Sequence, residues 1–74
     1  MKTNTLSSFG MAVKVAMLER GMKQVELIEL VKQDTGLFVD DSYMYKILRG
    51  ERNPKVLIGS IKKILELKED GTNE

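Results

Sequence analysis

The sequence predicts a small all-α bundle of four to five helices. Apolar side chains recur at the three- and four-residue spacing of amphipathic helices, and breaks containing glycine or proline separate these segments. No stretch shows the alternation of a strand. With 74 residues, 42% of them hydrophobic, the chain has room for one core and therefore one domain.

The first two predicted helices lie in the N-terminal half of the chain. The first spans residues 7–19, with Ser7 or Ser8 as its cap. The second spans residues 23–33 and ends before Gly36, which can adopt the left-handed conformation that terminates helices. Their apolar positions are Phe9, Val13, Ala16 and Met17 in the first helix, and Leu27, Ile28, Leu30 and Val31 in the second.

Two further helices follow. Asp40 can cap a third helix at residues 41–49 by accepting a hydrogen bond from one of its first free amides. Asn53 followed by proline predicts a capped start for a fourth helix at residues 54–67. Their apolar positions are Met44, Ile47 and Leu48 in the third helix, and Val56, Leu57, Ile61, Ile64 and Leu65 in the fourth.

Composition argues against several classes of protein. The chain has no cysteine or histidine, which removes disulfides, zinc fingers, cysteine or histidine nucleophiles and imidazole acid–base catalysis. There is also no glycine-rich phosphate cradle. We therefore expect no enzyme, metal, cofactor or small-molecule substrate. No apolar run approaches the roughly 18 residues of a membrane span, and residues 1–5 lack a signal peptide's apolar stretch, so we expect a soluble cytoplasmic protein.

Charge is unevenly distributed although the net charge is only +1. Residues 42–63 hold six cations and the single anion Glu51, whereas residues 19–41 hold six anions and three cations. This asymmetry is expected of a surface that faces phosphates, and a solvated basic face would produce it equally well. The last residues, 68–74, are charged and lack apolar anchors, so we predict a domain at residues 1–67 followed by a flexible charged tail.

Two short amphipathic helices, a break, a third helix with a polar outer face and a basic turn are the parts of a helix-turn-helix. Residues 21–31 resemble the opening helix, and residues 42–54 the reading helix and following loop, of the Cro/repressor-like (XRE) family of phage and mobile-element regulators. The resemblance covers residues 9–65. Ile28 and Lys32 replace a family alanine and glycine, which together with extra residues after Lys32 indicates a lengthened turn.

The resemblance implies a sequence-specific double-stranded DNA-binding domain that acts as a Cro-like transcriptional repressor or regulator, with a homodimer expected on DNA. Reading helices place their outward side chains at base edges in the major groove. The expected base-reading residues are Asp41, Ser42, Tyr45 and Lys46. The expected DNA-backbone contacts are Gln24, Tyr43, Arg49, Arg52, Asn53 and Lys55.

Other interpretations of the same residues stay open. The domain could be an accessory excision factor that bends DNA, or a protein-interaction module that uses Leu37, Phe38 and the two tyrosines. Tyr43 could lie flat on the hydrophobic edge instead of reaching a phosphate. Arg49 could pair with the last carbonyls of its own helix, where a cation is favoured.

Overall fold

The computed structural model describes residues 6–67. Within this range the chain forms four α-helices and no strand. They are α1 (Ser8–Arg20), α2 (Gln24–Thr35), α3 (Asp41–Leu48) and α4 (Lys55–Leu65). The predicted all-α bundle is confirmed, with four helices in the described residues. The tail predicted at residues 68–74 lies outside them.

One hydrophobic core holds the helices together. α2 packs along α4, while α1 contacts both α3 and α4, and α2 also contacts α3. Each helix contributes a narrow buried stripe, as its apolar spacing predicts. The largest fully buried side chains are Leu27, Met44, Ile47, Leu48, Ile61, Leu65, Val13, Val31 and Val39. Because α3 is anchored by one face, its opposite face is left at the surface.

Two predicted core positions are wrong. Leu30 is 39% exposed and Val56 is 63% exposed. Leu30 lies two residues after the buried Ile28, so its side chain points away from the stripe of α2 that faces α4. Val56 lies in the first turn of α4, where the next residue, Leu57, takes the position that faces the core. Ser60 is buried in α4 instead, because its hydroxyl has a partner on α2.

Most of the predicted helix ends are confirmed. Ser7 caps α1 by accepting a hydrogen bond from the Gly10 amide at 3.0 Å, and Asp40 caps α3 by accepting from the Tyr43 amide at 2.8 Å. Gly36 ends α2 with a positive φ of 73°. The prediction for α4 is wrong in detail: Pro54 itself occupies the N-cap position, with no side-chain cap, because its extended backbone delays the helix by one residue.

Polar contacts fix α4 to the rest of the bundle. Asp34 at the end of α2 accepts hydrogen bonds from the Ser60 hydroxyl and the Lys63 ammonium, both at 2.7 Å. The bonds from Lys63 and Ser60 hold the pKa of the Asp34 carboxyl below its ordinary value of 3.8. At the last residue of α4, Arg20 donates to the Leu65 carbonyl at 2.7 Å and satisfies one of the free terminal carbonyls.

Candidate nucleic-acid interface

The four residues predicted to read bases share the outer face of α3. Asp41, Ser42, Tyr45 and Lys46 are all exposed. The inner face of this eight-residue helix is formed by the buried residues Met44, Ile47 and Leu48. We call the outer residues, Asp41, Ser42, Tyr45 and Lys46, the α3 face. It offers a carboxylate, two hydroxyls and an ammonium within two turns of helix.

The N-terminal end of the α3 face is tied to two other helices. Gln24, at the start of α2, donates from Nε2 to Asp41 Oδ1 at 3.2 Å. The Lys14 ammonium of α1 donates to Gln24 Oε1 at 3.2 Å. A cation on one side and a carboxylate on the other therefore fix which way the Gln24 amide points. The bond to Asp41 also joins Gln24 to the N-terminal end of α3.

Lys14 is a residue that sequence reasoning missed. It lies on the exposed side of α1, ten residues before Gln24, and the sequence shows it only as one lysine in a polar position. Its place beside Gln24 arises from the way α1 and α2 pack. The spacing of residues within a single helix gives no signal for such a contact with another helix.

Two adjacent aspartates at the start of α3 have separate partners. Asp40 accepts from the Tyr43 amide, and Asp41 accepts from Gln24. Negative charge is also favoured at a helix N-terminus, where the free amides carry partial positive charge. These contacts account for two carboxylates on a surface whose other charged groups are mostly cationic.

The C-terminal end of the α3 face carries a stacked arginine. The Arg49 guanidinium carbon lies 5.4 Å from the centroid of the Tyr45 ring, within the range of a cation–π contact. Arg49 Nε lies 3.3 Å from Glu51 Oε2. The side chain of Arg49 thus contacts the aromatic ring on its own helix and the carboxylate of the following loop.

The loop after α3 carries the remaining predicted backbone contacts. Gly50, with a φ of 83°, turns the chain directly after α3, and α4 begins at Lys55. Arg52, Asn53 and Lys55 are all exposed. The turn at Gly50 and the start of α4 place Asn53 and Lys55 after the α3 face. Tyr43 is partly buried against the core, as the alternative interpretation of this residue expects.

A second exposed feature lies in the connection between α2 and α3. Phe38 is 73% exposed and Leu37 is also exposed. The Lys32 ammonium lies 5.9 Å from the centroid of the Phe38 ring. The neighbouring Val39 is fully buried and anchors the connection to the core. The protein-interaction interpretation uses these two apolar side chains together with the two tyrosines.

Comparisons with protein-family models, curated proteins and solved structures give no match. None of the helices in residues 6–67 combines the length and the apolar character that a bilayer crossing requires. The same residues contain no cluster of three or more acidic side chains that could hold a metal ion.

Proposed function

We propose that this chain binds double-stranded DNA in a sequence-specific manner and acts as a Cro-like transcriptional repressor or regulator of a phage or mobile element. The supporting observation is the α3 face: an exposed helix surface with hydrogen-bonding groups, anchored rigidly from behind. A loop rich in cations follows it directly. A helix of this size fits the major groove, where base edges can be distinguished.

In this proposal each side chain of the α3 face has a partner on the bases. Lys46 donates to the O6 and N7 atoms of guanine, and Asp41 accepts from the N4 amino group of cytosine. The Tyr45 ring contacts a thymine methyl group, and the Ser42 hydroxyl can bond several bases. Gln24 holds Asp41 in place, which limits the conformations that must be lost on binding.

Phosphate contacts supply most of the affinity. Gln24 at the start of α2, together with Arg49, Arg52, Asn53 and Lys55 after the reading helix, would contact the strands on either side of the groove. Neutralising about three phosphates, through Arg49, Arg52 and Lys55, gives a logarithmic salt slope of about −3 per subunit. A homodimer on two half-sites about 34 Å apart would raise the affinity further. Repression then results from occlusion of a promoter, without a chemical reaction, in the cytoplasm.

The test is a titration of the purified protein onto two kinds of duplex at several salt concentrations. One duplex comes from the DNA around its own gene and the other has a random sequence. The proposal expects tighter binding to the first and a steep loss of affinity with salt for both. Binding that ignores both sequence and salt would contradict it. Circular-permutation gel shifts on the same DNA distinguish a plain repressor from an accessory factor that bends DNA.

A protein-interaction module is the second candidate, and the exposure of Phe38 and Leu37 favours it. The variant Phe38→Asp separates the two functions. It should leave DNA affinity within about twofold if α3 binds DNA, since the substitution adds one charge outside the α3 face. Lys46→Ala should leave a protein complex intact if the interface is the connection between α2 and α3.

A further inference from the structure

Arg49 is held between two partners in the described structure. Its guanidinium stacks on the Tyr45 ring, and its Nε lies 3.3 Å from Glu51 Oε2. The two charged side chains are 34% and 45% exposed, so the pair borders solvent at the edge of the α3 face. Glu51 is also the one anion between residues 42 and 63. The Glu51 carboxylate therefore lies against the buried Nε side of the Arg49 guanidinium and offsets part of its charge at the edge of the α3 face.

We propose that Glu51 is a specificity-determining residue, whose carboxylate competes with a DNA phosphate for Arg49 and so keeps binding to non-cognate duplexes weak. This inference rests on the proposed function. Arginine binds carboxylate and phosphate through the same planar set of donors, so the two anions are direct competitors. A phosphate that approaches the outer nitrogens of Arg49 meets a guanidinium whose charge Glu51 already offsets in part.

The competition affects cognate and non-cognate DNA differently. Non-specific binding is almost entirely electrostatic, so a loosely held duplex has little besides charge to offset the loss of the ion pair. On a cognate duplex, the base contacts of the α3 face hold the DNA close to the protein. A phosphate beside Tyr45 is then kept at contact distance from Arg49. Glu51 therefore lowers the affinity mainly for non-cognate duplexes.

The variant Glu51→Gln tests this inference. Glutamine has nearly the same size and shape as glutamate, and the Glu51 amide still donates to the Lys46 carbonyl at 2.9 Å, so the loop should fold as before. Glu29→Gln is the matched control. It removes the same charge from an exposed residue of α2, whose ion pair with Lys32 spans 3.9 Å.

The test is a measurement of DNA affinity across a salt series for two duplexes. One has a random sequence, and the other is selected by the protein from a random pool. Glu51→Gln should tighten binding to the random duplex about two- to fivefold, the range of an exposed ion pair. It should steepen the salt slope by about 0.9, for one added phosphate contact. The selected duplex should gain less, so the ratio of the two affinities falls. Glu29→Gln should leave that ratio and the slope unchanged.

A second background shows whether the effect passes through Arg49. In Arg49→Met the Glu51→Gln substitution should no longer alter the salt slope. A gain that persists there, or a Glu51→Gln protein that matches Glu29→Gln, would overturn the inference while leaving DNA binding itself in place. If the wild-type protein selects no duplex from the pool, the proposed function fails first, and the two failures are thereby distinguished.

Discussion

The backbone of Gly10 in α1 lies directly against the carbonyl of Leu48 at the end of α3. Ser7, one turn earlier, donates to the same carbonyl from its amide at 3.1 Å and from its hydroxyl at 2.9 Å. The start of α1 thus satisfies a terminal carbonyl of α3 that would otherwise lack a partner. This contact fixes the C-terminal end of the helix that we propose to read DNA.

Gly10→Ala should destabilise the fold by about 3 kcal/mol, at the upper end of overpacking effects, because the added methyl group would overlap the Leu48 backbone. Gly59→Ala is the matched control. Gly59 lies inside α4 with open space around it, so this alanine should stabilise the protein by up to about 1 kcal/mol. Urea unfolding of both variants measures the difference. Equal stabilities would show that α1 and α3 are farther apart than described.

Asp34 should make folding stability depend on pH. Its carboxylate accepts from Lys63 and Ser60, and these bonds lower its pKa in the folded state. The stabilisation is therefore fully present above the unfolded pKa and is lost as the pH falls through the lower folded value. Asp34→Asn should be less stable than wild type at pH 7, and the difference should shrink in acid.

Urea unfolding of wild type and Asp34→Asn from pH 7 to pH 2.5 measures this effect. Glu29→Gln, on the exposed face of α2, serves as the control and should track wild type more closely at every pH. A stability difference for Asp34→Asn that is the same at all pH values would contradict the contact with Lys63.

Substitutions of Lys46 and Arg52 should weaken DNA binding in different ways. Lys46→Ala removes a proposed base contact and should cost about 1 to 3 kcal/mol on the selected duplex while relaxing selection at one base pair. Arg52→Ala removes a proposed phosphate contact, so it should weaken all duplexes alike and reduce the salt slope by about 0.9. Binding to duplexes that differ at single base pairs measures both effects. The reverse pattern would mean that α3 is misplaced on the DNA.

Gln24 should matter for selection more than for stability. It positions Asp41 from outside the core, through bonds at the surface. Gln24→Ala should therefore keep nearly the wild-type unfolding midpoint and lose preference for cytosine at the base pair that Asp41 contacts. Competition among duplexes carrying each of the four base pairs at that position provides the measurement. If the Gln24→Ala variant keeps the preference for cytosine, Gln24 contacts only a phosphate and does not position Asp41.

The helices were predictable because each carries its own apolar spacing and end signals. Ser7, Asp40 and Gly36 act locally, within one turn of the helix end that they define, so the sequence contains the whole signal. Val56 was misassigned because apolar character does not reveal where the core ends. The start of α4 was misplaced by one residue because both Asn53 and Pro54 are compatible with a cap.

The candidate site was predictable in part. The spacing of the buried residues of α3 determines which side chains point outward, so its four exposed positions follow from the sequence. Contacts between helices do not follow from the sequence in this way. The bond from Lys14 to Gln24, the ion pair of Lys63 with Asp34 and the close approach at Gly10 depend on how the helices pack. No pattern within a single helix encodes that packing.

The most direct measurement of the central claim is a map of backbone amide chemical shifts as the protein is titrated with a duplex that it has selected from a random pool. We predict that the largest changes fall in residues 41–55, covering the α3 face and the loop after it, with a further change at Gln24. Changes centred on Leu37 and Phe38, with residues 41–55 unaffected, would contradict it.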